Sequence, residues 1–591
     1  MRQLKKSAAW SVLALFALAF CLPLPVQAAD DGERFRDIYE REWDFRLREF
    51  PLFASYVGVH DYDDVLGRVS ESDQARRHVF WKSIAAELGE ISCERLSHDD
   101  CIDYRIFVKQ IDNFIAEYET RAYLLTFNSD GGFFMGWGRL PEETRFRDVP
   151  DYRNYLARLL ELPRAMDEYI ALMRRGLEIG MTQPRVILSG RDEPIKAQLV
   201  ESVEESPFYR PFAEMPETTV AGGERAELLA AAGKVISQDV IPAYRRLLEF
   251  FHREYVPGAR ETLGASDLPE GERFYRAQIR LYATVDMTPR EIHDLGLEQV
   301  ARIRGEMQNI IEQVGFDGDF AAFLAFLRSD SRFYARTPKE LLAHASYYAK
   351  KIDGRLPLLF GRLPRQPYGV APVPEEIAPF YTAGRYVPAP ADAPRGGYYW
   401  VNTHDLPSRP LYAIPALTLH EGAPGHHLQG ALALEQADQP PFRRFDYISA
   451  YGEGWGLYSE KLGLEMDIYE TPYEHFGRLT YEMWRACRLV IDTGVHAFGW
   501  TREQALDYLS SNTALSMHEV TTEVDRYISW PAQALSYKLG EYTILRLRKQ
   551  AEQELGAAFD IRAFHDFLLS LGSVPLDLLS DEMTRWISRQ K

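Results

Sequence analysis

Helix-start signals recur along this chain and constrain its fold more than any other feature. Thr288, Thr337 and Thr501 each precede a Glu or Gln by three residues. At that spacing a Thr hydroxyl and an acidic or amide side chain cap the first turn of a helix. Apolar residues then recur every three or four positions, as in 292–314 and 340–352. The sequence therefore predicts a mainly α-helical protein.

Two regions depart from this helical pattern. Residues 363–394 are rich in proline, and residues 397–403 have the aromatic and β-branched content of a strand. This strand lies just upstream of a His-rich helix. It either offers a free edge to an extended peptide or serves as a packed connector. We therefore expect a small β element near the candidate site.

The first 28 residues have the pattern of a signal peptide. Basic residues up to Lys6 precede an apolar stretch over 8–24, and a small-x-small sequence ends at Ala28. The alternatives are an uncleaved membrane anchor and a lipid attached at Cys21, which Phe20 disfavours because a small residue should precede a lipidated cysteine. We expect an exported protein, periplasmic or secreted.

The rest of the chain, 29–591, contains no long low-complexity linker and no convincing repeat. It is predicted to form a single large helical domain, in one body or two lobes. Signal cleavage removes three cations and no acid, so the net charge of −19 becomes −22. Such a surface repels phosphate backbones and excludes nucleic acid as a partner. We expect no stable membrane span after cleavage, and the oligomeric state stays open.

Cysteine is too scarce for a disulfide-built scaffold. The mature chain keeps Cys93, Cys101 and Cys487. Cys93 and Cys101 are close enough to pair in an oxidising compartment, and the sequence does not decide whether they do. No Cys-x-x-Cys pair is present, which argues against a thiolate metal site.

The most informative stretch is His-Glu-Gly-Ala-Pro-Gly-His-His-Leu-Gln, over 420–429. In zinc helices of the H-E-x-x-H type, two histidines four residues apart bind the metal, and the Glu beside the first holds the attacking water. Here Pro424 stands at the expected position of the second histidine. The next candidates are His426 and His427.

Helix geometry favours His426 as the second ligand. On a regular helix a six-residue offset turns a side chain by about 240° and raises it by about 9 Å. Pro424 and Gly425 interrupt a regular helix, and a two-residue bulge would return His426 to the face of His420. His427 is the runner-up, since it regains the face but lies about 10 Å along the axis.

A third ligand is predicted on the helix over 447–460. Glu453 lies 27 residues after His426 between two glycines that permit close approach. Glu460 shares its helical face and is placed to orient a ligand from behind. Two imidazoles and a carboxylate suit zinc best, with cobalt and manganese as alternatives, so we expect one zinc per chain.

A third group of polar residues follows at helical spacing. Arg488, Asp492 and His496 share one face. Either they form a salt-bridged structural ladder, or His496 or Arg488 faces the cleft and binds substrate or an oxyanion.

A last group lies between residues 525 and 540. Arg526, Tyr527, Tyr537 and Lys538 supply donors suited to a developing oxyanion or a substrate carboxylate. The alternative is that they are buried tyrosines and a lysine that only snorkels to the surface.

Four segments together resemble a known family. In order along the chain they are 420–429, 452–458, 492–496 and 526–540. They resemble the bacterial family called domain of unknown function 885, whose members are similar to helical zinc metallopeptidases that include oligopeptidases and angiotensin-converting-enzyme-like carboxypeptidases. The resemblance extends from about residue 33 to the C-terminus.

The resemblance implies a zincin-like helical fold with a deep channel. His420, His426 and Glu453 match its metal positions, and Glu421 matches its general base. The expected function is zinc-dependent hydrolysis of peptide bonds in short peptides, as an oligopeptidase or a carboxypeptidase. Two alternatives stay open: a non-catalytic periplasmic peptide-binding or scaffold protein, and a metal hydrolase that acts on a non-peptide amide. Substrate sequence and cleavage position are not predicted.

Overall fold

The computed structural model describes residues 30–375, 377–389, 395–436 and 438–591. The predicted signal peptide, residues 1–28, lies outside this part of the chain. The structure is 69% helix and 3% strand, whereas globular proteins average about 30–35% helix and 20–25% strand. The prediction of a mainly α-helical protein with a small β element is confirmed.

Twelve α-helices form the first half of the described chain. Two π-helical segments, Ile236–Val240 and Phe251–Tyr255, connect the last three of them. The α-helices are α1 (Asp31–Glu49), α2 (Pro51–Tyr56), α3 (Glu71–Leu88), α4 (His98–Glu119), α5 (Phe133–Gly138), α6 (Leu140–Glu143), α7 (Val149–Ile179), α8 (Glu193–Lys196), α9 (Arg210–Ala213), α10 (Gly222–Val235), α11 (Ile241–Phe250) and α12 (Val256–Gly258).

Four helices follow before the sheet: α13 (Gly271–Tyr282), α14 (Pro289–Gln313), α15 (Phe320–Ser329) and α16 (Pro338–Asp353). Thr288 caps α14 in a reciprocal capping box with Glu291, and the Thr337 hydroxyl accepts a hydrogen bond from the Glu340 N–H at the start of α16. The helix starts predicted at these threonines are confirmed, because each hydroxyl satisfies an otherwise unpaired backbone donor.

The C-terminal part contains ten helices, the sixth of which begins with the predicted box of Thr501 and Gln504. They are α17 (Ile414–Glu421), α18 (His426–Leu434), α19 (Pro441–Arg444), α20 (Ser449–Glu465), α21 (Pro472–Phe498), α22 (Arg502–Asn512), α23 (Met517–Ser529), α24 (Ser536–Leu555), α25 (Ile561–Ser570) and α26 (Leu576–Gln590).

A three-stranded sheet separates the two groups of helices. It consists of β1 (Tyr368–Pro372), β2 (Gly384–Val387) and β3 (Gly397–Val401), in the order β1-β3-β2. β3 pairs in parallel with β1 and antiparallel with β2. The strand predicted over 397–403 is present as β3. Of its two alternatives the free edge is wrong, because both edges of β3 are already hydrogen-bonded, and β1 and β2 are the outer strands of the sheet.

Two hydrophobic clusters form the interior, and α17 contributes to both. Leu417 packs in a cluster with the sheet, whereas Leu419 packs in a cluster with the N-terminal helices and α24–α26. α21 is divided in the same way, through Ile491 and Leu489. The C-terminal end of α17 is thus positioned between two packed regions.

The structure also answers the question left open about cysteine. Cys93 and Cys101 are joined by a disulfide just before and within the first turn of α4, and Cys487 is free and buried. Among the described residues, no helix combines the length and the apolar character needed to cross a membrane.

Candidate metal centre

The Pro-Gly interruption ends one helix and starts the next. α17 stops at Glu421 and α18 begins at His426. A Cβ atom on Gly425 would lie 1.9 Å from the backbone oxygen of His420, so only glycine fits in this turn. The indole N–H of Trp455 donates to the Pro424 carbonyl oxygen at 2.8 Å and ties the turn to α20. The two histidine-bearing helices are thus held at a fixed angle.

This turn brings three ligand atoms together. His420, His426 and Glu453 each offer one nitrogen or oxygen, and the three atoms lie within 4.8 Å of one another. The Nε2 atoms of His420 and His426 are each 3.4 Å from Oε2 of Glu453. Tetrahedral ligands at about 2.0–2.1 Å from zinc are about 3.3 Å apart. The two distances to Glu453 match this spacing, so the three donors could hold a single zinc ion.

Glu460 lies behind the first histidine. Its Oε1 is 2.8 Å from Nδ1 of His420, and the Arg485 guanidinium lies 3.7 Å from the same oxygen. A carboxylate on Nδ1 holds the imidazole ring so that Nε2 points at the cluster. The contact predicted for Glu460 is present.

Burial and opposite charges set the protonation of the cluster. Burial opposes the charged form of His420, but hydrogen bonds to Glu453 and Glu460 raise its pKa to about 10. Burial alone would raise the pKa of Glu453, yet the two histidines hold it well below its usual range. Without a cation the cluster is an ion pair, and a metal has to displace the His420 proton to bind.

Close packing of α17 against α20 depends on Gly456. A Cβ atom at this position would lie 2.7 Å from Cε1 and 2.8 Å from Nε2 of His420. Any side chain would therefore push the imidazole out of place. Two residues earlier Gly454 lies against Gly540 of α24, which brings a third helix equally close.

Glu421 faces the sheet rather than α20. Neighbouring helical residues point about 100° apart, and Oε2 of Glu421 accepts a hydrogen bond from the Tyr386 backbone N–H in β2 at 2.8 Å. The side chain is 8% exposed. A carboxylate therefore lies beside the first histidine, fixed by the edge strand.

His427 belongs to the sheet side as well. Its Nδ1 lies 3.1 Å from the Tyr386 hydroxyl, and its ring packs on Tyr368 with centroids 4.5 Å apart. Burial lowers its pKa to about 4. Of the two alternatives, the structure brings His426 to the cluster and places His427 against the sheet.

Tyr447 is a neighbour of the cluster that sequence reasoning missed. Its hydroxyl donates to Oε1 of Glu453 at 3.2 Å, so both oxygens of that carboxylate are directed. Tyr447 precedes α20 and has no helical spacing to Glu453. The sequence therefore held no signal for this contact.

Tyr537 is a predicted donor that interacts electrostatically with a neighbour of the cluster. It lies within electrostatic range of Tyr447, whose hydroxyl contacts Glu453. The Arg488 guanidinium stacks on its ring at 4.1 Å from the centroid. Tyr537 thus contacts Arg488 and acts electrostatically on the tyrosine that touches Glu453.

This arginine, Arg488, belongs to a group of aromatic and charged side chains that includes Arg526 and Tyr527. Arg488 donates to the Tyr527 hydroxyl at 3.1 Å and to Glu523 at 2.8 Å. Arg526 donates to Gln533 at 3.1 Å. Burial raises the pKa of Tyr527, so it stays protonated. Tyr537 borders this group, because the Arg488 guanidinium stacks on its ring.

Two of the predicted site residues, Lys538 and His496, bind other parts of the fold. The Lys538 ammonium lies between the carboxylates of Glu482 and Glu541, all three fully buried. His496 accepts a hydrogen bond from the Ala265 N–H at Nδ1, and its Nε2 lies 2.9 Å from the Tyr527 carbonyl oxygen. For both, the contacts support the structural alternative: their polar atoms already have partners inside the fold.

Comparisons with known proteins give a family but no activity. Residues 51–583 match the family described as "Bacterial protein of unknown function (DUF885)". A crystal structure of a "putative lipoprotein" from Colwellia psychrerythraea is 28% identical with a TM-score of 0.88, over 95% of this chain and 100% of that one. A "putative lipoprotein of unknown function" from Shewanella oneidensis is 19% identical with a TM-score of 0.71, over 94% and 100%. No curated protein matches.

Proposed function

The chain belongs to the bacterial DUF885 family, and we propose that it hydrolyses peptide bonds in short peptides with zinc bound at His420, His426 and Glu453. The observation that carries the proposal is the convergence of these three ligand atoms, together with Glu421, which follows His420 in the chain and acts on it electrostatically. The proposed fold is zincin-like, with the cluster at the bottom of a channel between α17, α20 and the sheet.

The residues of the chain take separate roles in this reaction. Zinc held by two imidazoles and a carboxylate polarises a carbonyl group and lowers the pKa of water. Glu421 accepts the proton of the attacking water and passes it to the leaving amine. The Tyr386 N–H fixes one oxygen of this carboxylate during both transfers. Glu460 keeps the His420 ring in place.

Substrate contacts are assigned to the group beside Tyr447. Tyr537 is the proposed oxyanion donor, because it acts electrostatically on Tyr447, whose hydroxyl touches Glu453. Arg488 and Arg526 supply guanidinium groups suited to a peptide carboxylate. Lys538 is omitted from the proposal, since two buried carboxylates hold its ammonium group.

We place this activity outside the cytoplasm, in the periplasm or in a secreted protein. The N-terminal pattern, the Cys93–Cys101 disulfide and the similar proteins described as putative lipoproteins all support export. The last of these adds weight to a lipid at Cys21 as an alternative to cleavage after Ala28.

The first test is elemental analysis of protein purified without chelator. Wild type should carry about one zinc per chain, and His420→Ala, His426→Ala and Glu453→Ala should lose it, because each removes one of three ligands. His427→Ala is the matched control and should keep the metal, since His427 packs against Tyr386. Loss of zinc in the His427 variant alone would overturn the ligand set.

The same preparations test the chemistry. Glu421→Gln should keep its zinc and lose about 100-fold or more of its peptide hydrolysis, because an amide cannot take the proton. A Glu421→Gln enzyme with full turnover would overturn the mechanism. Metal-loaded wild type that cleaves none of a panel of short peptides would overturn the peptidase assignment.

A further inference from the structure

A second cavity lies on the far side of α24 from the metal cluster. Its volume is about 390 Å³, within the size range of small-molecule sites. Leu539, Tyr542 and Arg546 line it from one face of α24. On α24, Gly540, which packs on α20, points about 100° away from Leu539 around the helix axis. Tyr537 points about 160° away from Leu539. The cavity is therefore separate from the centre described above.

The cavity has an apolar floor and charged groups of both signs. Val285, Met287, Leu539 and Leu576 supply the apolar surface. Arg280, Arg546 and Lys109 supply cations, and Asp286 and Asp577 supply anions. This mixture suits a ligand that has an apolar body and two opposite charges.

Three of these charges form no salt bridge within the described part of the chain, although Arg280 is in electrostatic range of Asp112. Within the described part of the chain, Arg280 and Asp286 form no hydrogen bond or ion pair, and Arg546 donates only to the Ser580 hydroxyl, at 3.1 Å. By contrast, Asp577 is bound by Lys109 at 3.1 Å and by Arg105 at 3.5 Å. The groups left to meet a ligand are thus two guanidinium groups and one carboxylate.

One wall of the cavity is held in a strained conformation. Thr284 has φ of 54°, which a β-branched residue rarely adopts. Its hydroxyl accepts from the Leu576 N–H at 3.0 Å, and its carbonyl accepts from Lys109 at 3.4 Å. Two further elements therefore fix the α13–α14 connection. Strain that the surroundings over-determine is a feature of preformed ligand sites.

We propose that this cavity binds an apolar amino acid or short apolar peptide in its zwitterionic form. The ligand carboxylate lies at Arg280 and Arg546, the ammonium at Asp286, and the apolar side chain on Val285 and Met287, which are partly exposed. Guanidinium groups match a carboxylate in geometry as well as in charge. The proposal needs neither metal nor turnover and stands apart from the peptidase proposal.

Calorimetric titration with L-leucine is the direct test. Wild type should bind with a Kd of about 1 mM or tighter, and N-acetyl-L-leucine and L-leucinamide should each bind about tenfold or more weakly, because each lacks one charge. L-leucyl-L-leucine, titrated into His420→Ala to prevent hydrolysis, distinguishes a peptide ligand from a free amino acid. Absence of binding by both leucine and dileucine would overturn the proposal, as would a blocked compound that binds as tightly as leucine.

Variants locate the site. Arg280→Gln, Arg546→Gln and Asp286→Asn should each weaken leucine binding about tenfold or more. Arg276→Gln is the matched control: it removes the same charge from an exposed position of α13 outside the cavity lining and should bind like wild type. An equal loss in Arg276→Gln would assign the effect to general surface charge and overturn the site.

Discussion

At the scale of single residues, Asp492 shows how burial and hydrogen bonding oppose each other. Burial raises its pKa to about 7, although hydrogen bonds from Tyr275 and the Ala532 N–H, and the charge of Arg488, act in the opposite direction. The Tyr275 hydroxyl donates to Oδ1 at 2.5 Å and the Ala532 N–H to Oδ2 at 3.1 Å. The folded state therefore favours the protonated acid at a pH where the unfolded chain is ionised.

The first prediction follows from this shift. A raised acid pKa gives stability that is complete below the unfolded value of about 4 and is lost as pH rises through about 7. Asp492→Asn imitates the protonated form and removes this dependence. Between pH 5 and pH 8 the free energy of unfolding of wild type should fall relative to the variant by up to about 3 kcal/mol. Chemical denaturation at both pH values measures it, and a constant difference would contradict it.

Single residues also show the limits of sequence reasoning. Glu460 was predictable because its contact with His420 follows from helical spacing to another candidate ligand. His496 has the same regular spacing within α21, yet its partners, Ala265 and Tyr527, come from other elements. Periodicity tells which residues share a face and not what that face meets, so a catalytic and a structural histidine have the same sequence pattern.

At the scale of elements, the contact between α17 and α20 determines the geometry of the cluster. α17 carries His420, α20 carries Glu453, and Gly456 lets the two helices approach. The turn at Gly425 then directs α18 so that His426 meets the same point. Two glycines without any ligand atom thus control the distances between the three ligands.

The second prediction concerns Gly456→Ala. The added methyl would overlap the His420 ring, so zinc affinity should fall about tenfold or more while helix content is unchanged, since alanine favours a helix. Competition against a zinc chelator measures the affinity. Gly305→Ala in α14 is the control: its Cβ meets nothing within 4 Å, so it should leave zinc affinity unaltered. Equal affinity in wild type and Gly456→Ala would contradict the prediction.

Helices could be predicted from the sequence far better than the sheet. The capping threonines act on residues three positions away, so the whole signal lies in one short segment. β1 and β2 lie in a stretch rich in proline, and both find their partner in β3 only after the chain folds back. Pairing between distant segments depends on tertiary structure, which explains why one of three strands was predicted.

At the scale of the whole molecule, the cluster lies where two hydrophobic regions meet. α17 and α21 contribute buried side chains to both, and the ligands come from α17, α18 and α20. A ligand that binds only the folded arrangement stabilises every part needed to hold it.

The third prediction follows from this position. At a free zinc concentration about 100 times its Kd, wild type should gain about 2.7 kcal/mol of stability. The gain should appear as a single higher midpoint of thermal unfolding, shared by near-ultraviolet and far-ultraviolet circular dichroism. His426→Ala should show no gain. A shift seen by one probe and not by the other would show that unfolding is not a single transition and would contradict the prediction.

Whether Cys93 and Cys101 are bonded depends on the compartment in which the chain matured. Thiols stay reduced in a bacterial cytosol, whereas an exported chain meets oxidants that close such a pair. One sequence can therefore give two covalent species that differ by a pair of hydrogen atoms. An intact-mass measurement of recombinant material tells which species a laboratory holds, before any assay compares one preparation with another.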